Sequence, residues 1–231
     1  LVASGAEAGS LTYLVFEGDS SLFLTSSVDP HQGFVAPIVL VDPVVGFDVV
    51  ANESGVFLVW ESSSSGLFSD VYFTVSHNAG AAGTFSTPLQ IDGSGIGVGN
   101  ATGQPRIAVE GGLVGVVWRE TRDTIAVYGN FSADGGVSFA GEVQFSPSPD
   151  TFSDGGHGDV AIANGVVFVA WDDARDFNGN SVFVRTSIDG GMSFDGEVQL
   201  SQHFTGSPLL GAVQGTGVVA WWDSDVPWVP G

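Results

Sequence analysis

Three ionisable side chains recur at one position of a repeated pattern. Asp48, Arg106 and Asp159 each lie twelve residues before a tryptophan that ends an apolar run, and the same count reaches Ser4 and Leu210 in two further copies. If each run pairs with the segment before it, these residues begin successive inner strands and share one end of the sheets. A guanidinium between two carboxylates can neutralise both, or it can hold the carboxylate or a hydroxyl of a ligand. We therefore take Asp48, Arg106 and Asp159 as a candidate ligand-binding site, with both interpretations open.

A second group of oxygen ligands follows one of these tryptophans. The segment DDARDFNGNS, which starts at Asp172, is rich in Asp and Asn. Hard oxygen ligands in a flexible loop suit calcium, although the spacing is not that of an EF-hand loop. The alternative is a solvated hairpin tip, because Asp and Asn favour turns. The candidate calcium ligands are Asp172, Asp173, Asp176 and Asn178, and calcium is the one cofactor that the sequence suggests.

The elements that must position these residues are repeated along the chain. An apolar run that ends in an aromatic residue occurs five times, at intervals of 44 to 58 residues: Phe16, Trp60, Trp118, Trp171 and Trp222. One interval divides into four short segments separated by glycine-containing turns, which predicts a meander of four antiparallel strands. Such a sheet cannot bury both faces alone. Radial stacking of the sheets predicts an all-β protein of the β-propeller type, and a β-sandwich is the alternative.

The repeats suggest one domain with an incomplete last unit. We expect units at about 1–43, 44–94, 104–148, 157–203 and 207–231, which together form a single propeller or part of a larger one. The fifth unit ends nine residues after Trp222, without room for an outer hairpin. Its free strand edge is expected to allow self-assembly or the addition of missing blades.

One turn is nearly duplicated between the predicted third and fourth strands. SADGGVSF at 132–139 and SIDGGMSF at 187–194 share the pattern Ser-x-Asp-x-Gly-x-x-Phe, and SVDPHQGF and SHNAGAAGTF are degenerate copies. The Ser and Asp oxygens would accept hydrogen bonds from backbone amides, the glycine would take positive φ, and the aromatic ring would pack between sheets. The residues with this expected structural role are Ser27, Asp29, Phe34, Ser76, Asn78, Gly80, Ser132, Asp134, Gly136, Phe139, Ser187, Asp189, Gly191 and Phe194.

This turn resembles the Asp-box of the sialidase-like, or BNR-repeat, propellers. The segment GVVFVAWDDARDFNGNSVFVRTSIDGGMSF is similar to secreted repeat proteins of that superfamily, and the resemblance covers nearly the whole chain. It implies a β-propeller with the Asp-box on the outer part of each blade, away from the active site. For a sialidase it further implies an arginine cluster, a tyrosine nucleophile with a glutamate partner, and an aspartate acid/base.

The composition excludes several kinds of partner and site. The chain has 231 residues, no cysteine, and a net charge of −21 with five arginines as its only basic residues apart from histidine. This charge repels nucleic acid and anionic membranes. Without cysteine there is no disulfide or thiolate site. No apolar run is long enough to span a membrane, so we expect no membrane insertion, and an acidic chain without lysine suits an extracellular or cell-surface setting. Three sequons, at Asn52, Asn100 and Asn130, are candidate glycosylation sites in a secretory system.

Two functions from different classes remain. The first is a secreted, non-catalytic propeller that binds glycan or protein, or that builds a larger assembly. The alternative is a glycoside hydrolase of the sialidase type, or a fragment of one. QPRIAV around Arg106 only faintly resembles the Arg-Ile-Pro motif of sialidases, and the tyrosines fall on predicted strands. Because the arginines are spread over several repeats, the sequence favours the binding module.

Overall fold

The computed structural model describes residues 3–8, 11–19, 21–29, 31, 33–41, 43–62, 69–77, 84–93, 100–101, 105–122, 125–146, 156–173, 175, 180–201 and 205–223. These residues form five antiparallel sheets that follow one another along the chain. The first contains β1 (Ala3–Ala8), β2 (Leu11–Gly18), β3 (Ser21–Ser27) and β4 (Ile38–Val41). The second contains β5 (Gly46–Asn52), β6 (Gly55–Ser62), β7 (Asp70–Ser76) and β8 (Leu89–Gln90).

The remaining sheets repeat this order. The third contains β10 (Arg106–Glu110), β11 (Leu113–Thr121), β12 (Ile125–Ser132) and β13 (Val143–Gln144), with β9 (Asn100–Ala101) paired to β11. The fourth contains β14 (Gly158–Ala163), β15 (Val166–Asp173), β16 (Ser181–Ser187) and β17 (Val198–Gln199). The fifth consists of β18 (Thr205–Val213) and β19 (Thr216–Asp223).

Tight turns join the two inner strands of the last two sheets. Asn164 and Gly165 link β14 to β15 with φ of 52° and 75°, and Gln214 and Gly215 link β18 to β19 with φ of 51° and 73°. Two consecutive residues at positive φ match the right-handed twist of a hairpin, which is why Asn-Gly pairs favour this turn. The turn sequence therefore sets which residues of each hairpin face each other.

Apolar side chains fill the space between consecutive sheets. Trp60 belongs to the same buried cluster as Tyr13 and Val15 of the first sheet. Trp118 and Trp171 belong to the clusters that join the second to the third sheet and the third to the fourth. Trp118 and Trp171 are 1% and 0% exposed. In the second, third and fourth sheets, the recurring tryptophan thus belongs to the core cluster that joins its sheet to the preceding one.

The sheets form an arc. Neighbouring sheets contact each other through their inner strands in chain order, and among the described strands no substantial contact joins the first sheet to the fifth. The predicted all-β, propeller-type fold of four-stranded antiparallel sheets is confirmed, and the propeller is partial. The described part of the chain contains no helix of the length and apolarity needed to cross a membrane.

Candidate functional site

The three residues of the candidate ligand site hold equivalent places in consecutive sheets. Asp48, Arg106 and Asp159 each pair with the residue that precedes the buried tryptophan of the neighbouring strand. They therefore lie at the same end of the second, third and fourth sheets.

The fifth sheet departs from the register that the sequence count predicts. From the hairpin turn to Leu209 the pairing of β18 with β19 is regular, and Leu209 lies opposite Ala220; a bulge follows between Leu209 and Gly206. Counted from the hairpin turn, Trp221 takes the place of Trp171, one residue before the predicted Trp222. The sequence count starts at the second residue of the Trp221–Trp222 pair, and it therefore reaches Leu210 instead of Leu209.

Asp48 and Asp159 join neighbouring sheets. Oδ2 of Asp48 accepts a hydrogen bond of 3.1 Å from the Ile107 N–H, and Oδ2 of Asp159 accepts one of 2.7 Å from the Leu210 N–H. Burial raises the pKa of both carboxyl groups, while these backbone hydrogen bonds and the charge of Arg106 oppose that rise. The two carboxylates thus act first as connections between blades.

Two arginines are held in a repeated ion-pair arrangement. The Nη2 group of Arg122 lies 2.9 Å from Oε2 of Glu120 and 2.6 Å from Oε1 of Glu142, and the guanidinium covers the Tyr128 ring at 4.1 Å. In the next sheet the equivalent residue, Arg175, lies between Asp173 and Glu197 over the Phe183 ring. Both guanidinium groups are therefore engaged in ion pairs and ring contacts within their own sheets. Separately, Arg185 donates to the Asp195 carbonyl at 2.8 Å.

The other two arginines line one cleft. Arg106 and Arg119 border a cavity of about 250 Å³, together with His157, Pro208 and Leu209. Within the described residues, neither arginine side chain makes a hydrogen bond or an ion pair within 4.0 Å, and Nε of Arg119 is buried without a partner. Two arginines thus border the same space between the third, fourth and fifth sheets. Below, "the cleft" means this cavity.

Asp172 holds one wall of the cleft. Its carboxylate, 1% exposed, accepts hydrogen bonds from the backbone N–H groups of Gly156 at 2.7 Å and His157 at 2.6 Å. It also accepts from Asn180 Nδ2 and from the Ser207 N–H, each at 3.3 Å, and lies 3.5 Å from Nδ1 of His157. One buried acid thus orients His157 and ties the fourth sheet to the start of the fifth.

The calcium site stays a prediction. Of its four candidate ligands, Asp172 is engaged by N–H donors and Asp173 is paired with Arg175. Asp176 and Asn178 lie outside the described residues. Among the residues that the structure does describe, no group of three or more His, Asp or Glu side chains is arranged to hold a metal ion.

None of the three tyrosines borders the cleft in the described part of the chain. Tyr13 is buried between the first two sheets, Tyr72 stacks on Trp60, and Tyr128 lies under Arg122. Burial raises the pKa of Tyr13 and Tyr72. In a sialidase mechanism the tyrosine must reach the sugar, so these positions offer the cleft no such nucleophile.

The two complete Asp-box turns have the same hydrogen bonds. Oγ of Ser132 donates to Asp134 at 2.7 Å and accepts from the Gly136 N–H at 2.9 Å, and the same bonds join Ser187, Asp189 and Gly191. Hydrogen bonds from serine, first of all from Ser138 and Ser193, lower the pKa of Asp134 and Asp189 to about 2. These turns follow the third strands, β12 and β16, of the third and fourth sheets and do not border the cleft.

The aromatic residues of these turns pack against the preceding sheet. The Phe139 ring lies 5.2 Å from that of Phe73, and the Phe194 ring lies 5.1 Å from that of Phe131. Phe34 of the first copy is 42% exposed, since no sheet precedes it in the described chain.

The degenerate copies keep part of the hydrogen bonding. Ser27 Oγ accepts from the Asp29 N–H, and Ser76 Oγ is 2.6 Å from Oγ1 of Thr84. Asn78 and Gly80 lie outside the described residues.

One sequon is part of the core. The Asn130 side chain is 5% exposed, donates from Nδ2 to the Ile91 carbonyl at 2.9 Å, and accepts from the Gly141 N–H at 3.0 Å. The amide is therefore inaccessible to glycosylation in the folded protein.

Sequence reasoning missed Arg119 and His157. Arg119 directly follows Trp118, as Asp172 follows Trp171, so a comparison of the repeats at this position could have selected it. His157 precedes an inner strand and carries no spacing signal.

Comparison with known proteins shows the fold. No protein-family model and no curated protein matches the sequence. Among solved structures, the chain is similar to a GH43 endo-arabinanase from Bacillus licheniformis, with 13% identity, a TM-score of 0.51, and coverage of 96% of this chain and 94% of that one. It is also similar to a PL25 ulvan lyase bound to -[GlcA(1-4)Rha3S]-, with 13% identity, a TM-score of 0.55, and coverage of 82% and 52%.

A sialidase has the same architecture. The NanB sialidase from Streptococcus pneumoniae, as its K499G mutant, matches with 14% identity and a TM-score of 0.51, over 83% of this chain and 30% of that one. The chain thus spans about half of the lyase and less than a third of the sialidase. The predicted sialidase-like propeller architecture is confirmed at the level of the fold.

Proposed function

We propose that this chain is an extracellular, non-catalytic β-propeller module that binds acidic glycans in the cleft. The observation that carries the proposal is the pairing of Arg106 and Arg119 at one cavity. Three of the five arginines are occupied by protein acceptors, whereas these two have no hydrogen bond or ion pair within the described residues.

The chemistry of the cleft selects a carboxylated ligand. Guanidinium groups bind carboxylates by two parallel hydrogen bonds, and two of them at one cavity can hold a carboxylate and a neighbouring hydroxyl. In a chain of net charge −21, Arg106 and Arg119 bring positive charge to the cleft.

The walls of the cleft suit a sugar ring. Pro208 and Leu209 supply an apolar surface beside the arginines, and His157 supplies a further polar group. A carbohydrate combines a C–H face with hydroxyl groups, so it can contact both parts of such a wall. The similar structures include an enzyme bound to a GlcA-containing glycan and a sialidase, which supports an acidic saccharide as the ligand class.

Titration calorimetry on the full chain tests this function. The probes are a GlcA-containing oligosaccharide and sialyllactose, with lactose as the neutral control. We expect saturable binding of an acidic probe, at least about tenfold weaker binding after Arg106→Ala or Arg119→Ala, and an intermediate loss after Arg→Lys at either position. Arg185→Ala is the matched control, because the Arg185 guanidinium donates hydrogen bonds to backbone carbonyls of its own blade and does not border the cleft.

Three results would contradict the proposal. They are equal binding of lactose, an equal loss in all three alanine variants, and no binding of either acidic probe. Mass spectrometry of the recovered ligand separates the enzyme alternative: intact ligand supports a binding module, and cleaved ligand overturns the non-catalytic role.

A further inference from the structure

Each four-stranded sheet places two aromatic residues opposite each other. The second-strand aromatic pairs in register with a third-strand aromatic in all four of these sheets: Phe16 with Phe23, Trp60 with Tyr72, Trp118 with Tyr128, and Trp171 with Phe183. In the first, second and fourth sheets the two rings stack, with centroids 5.3, 5.6 and 5.9 Å apart. The third strand therefore covers the aromatic residue of the second.

In the described part of the fifth sheet, the second-strand aromatic residue is present, but no third strand covers it. Trp221 is equivalent to Trp171 by its position after the hairpin turn, but it is 37% exposed, whereas Trp171 is 0% exposed. Within the described residues, β19 pairs with β18 and has no strand on its other side.

The neighbouring face of the fourth sheet is open in the same way. Phe145 of the third sheet is 2% exposed because Phe194 and Trp171 of the fourth sheet cover it, with centroids 4.9 and 5.7 Å away. Leu200 is equivalent to Phe145 by strand register and is 36% exposed, and Val198 beside it is 55% exposed. The uncovered surface thus continues an interface that is complete between the third and fourth sheets.

We infer that the open edge, defined as β19 together with Leu200 and Val198, binds an extended β-strand of the third-strand type of this repeat. The described examples are SLFLTSS, DVYFTVS and SVFVRTS, with an aromatic residue at the third position and serine at the seventh. The strand would pair antiparallel with β19 and place its aromatic ring on Trp221. Addition of a strand to a sheet edge is an established mode of peptide recognition.

Strand polarity predicts which hydrogen bonds form. In the fourth sheet the Asp172 N–H donates to the His157 carbonyl on the β14 side, so the Trp171 N–H points to β16. Successive N–H groups of a strand point alternately to its two neighbours. Since Trp221 is equivalent to Trp171, the N–H groups of Gly217, Val219 and Trp221 point to the open edge. In β16, Val182 exchanges hydrogen bonds with the β17 side through Ser201 Oγ and the Leu200 N–H. The N–H groups of Phe183 and Arg185 therefore face the second strand.

A labelled peptide of sequence SVFVRTS tests the inference on the full chain. We expect saturable binding by fluorescence anisotropy, with hydrogen-exchange protection appearing at residues 217, 219 and 221. A peptide N-methylated at the positions of Phe183 and Arg185 should bind at least tenfold more weakly. The matched control, N-methylated at the positions of Val182 and Val184, should bind within about twofold of the unmodified peptide. Trp221→Ala should also weaken binding about tenfold, whereas Val137→Ala, which removes an exposed apolar side chain elsewhere, should not change it.

Several results would overturn the inference. Absence of saturable binding would do so, as would an equal loss with both methylation patterns, which indicates hydrophobic adhesion without strand pairing. Protection of the β19 amides before peptide is added would show that another part of this chain or a second copy already occupies the edge. Light scattering at the same concentration distinguishes those two sources.

Discussion

The carboxylate of Asp159 accepts a 2.7 Å hydrogen bond from the backbone N–H of Leu210 across the boundary between the fourth and fifth sheets. Arg106, which has the same register in the third sheet, has no acceptor atom for such a bond. The third and fourth sheets are joined instead at the other end of the inner strand, where Glu110 accepts from the N–H groups of Asn164 and Gly165, each at 2.7 Å. Because Glu110 makes this connection between the sheets, the Arg106 guanidinium remains available to the cleft.

Removal of the Asp159 carboxylate should weaken the junction between the last two sheets. We expect Asp159→Ala to lower the free energy of unfolding by about 1 to 3 kcal/mol, because the Leu210 N–H loses its partner. Urea denaturation measures the loss, and hydrogen exchange at Leu210 localises it. Asp195→Ala, at an exposed carboxylate, is the control; a similar loss in both variants would refute a specific role for Asp159.

The Asp-box glycine Gly191 has no room for a side chain. Its φ is +90°, and an added Cβ would lie 2.3 Å from Cγ of Phe131 on the preceding sheet. Gly191→Ala should therefore lower stability by about 2 to 3 kcal/mol, through backbone strain and displacement of the ring. Gly196→Ala, where a Cβ would meet nothing within 4 Å, should change the melting temperature little. Equal melting temperatures for the two variants would count against this explanation.

Arg122 neutralises a buried acid. The Glu120 side chain is 0% exposed and accepts from Trp118 Nε1 as well as from Arg122. Arg122→Met should cost about 3 kcal/mol, because Glu120 is then left buried without its cation. Addition of Glu120→Gln should recover part of the loss, and Arg185→Met serves as the control. No recovery in the double variant would mean that packing on Tyr128, and not charge, dominates.

Glu61 should make stability depend on pH. Burial raises its pKa from the ordinary 4.5 to about 7, so the folded protein keeps a proton that the unfolded chain releases above pH 4.5. Stability is therefore lost as pH rises from about 4.5 to about 7, and the loss is constant above that range.

The variant Glu61→Gln isolates this contribution. It should be more stable than the parent at pH 8, by at most about 3 kcal/mol, with no difference at pH 4. Denaturation at both pH values measures the change, with Glu53→Gln in an exposed turn as the control. A difference that is the same at pH 4 and pH 8 would contradict the assignment to ionisation of Glu61.

The sequence by itself determined the repeated architecture. Three patterns indicate it: alternating apolar residues, the recurring aromatic residue and the duplicated turn. Each depends on contacts between residues close in the chain or on one packing position that recurs in every repeat, so each can be recognised from the sequence. Gly136 and Gly191 illustrate this. Both have positive φ and lie against a phenylalanine ring of the preceding sheet, and both conditions require the glycine that the motif contains.

Only the tertiary structure decided how the charged residues are used. The partners of Asp48 and Asp159 lie 59 and 51 positions away, and strand pairing places Leu209, not the Leu210 that a residue count selects, opposite Ala220. Arg106 and Arg119 share a cleft because three sheets meet there. Arg122 and Arg175 instead form ion pairs within their own sheets. Which cation remains available depends on distances between separate sheets, and residue spacing along one chain does not encode those distances.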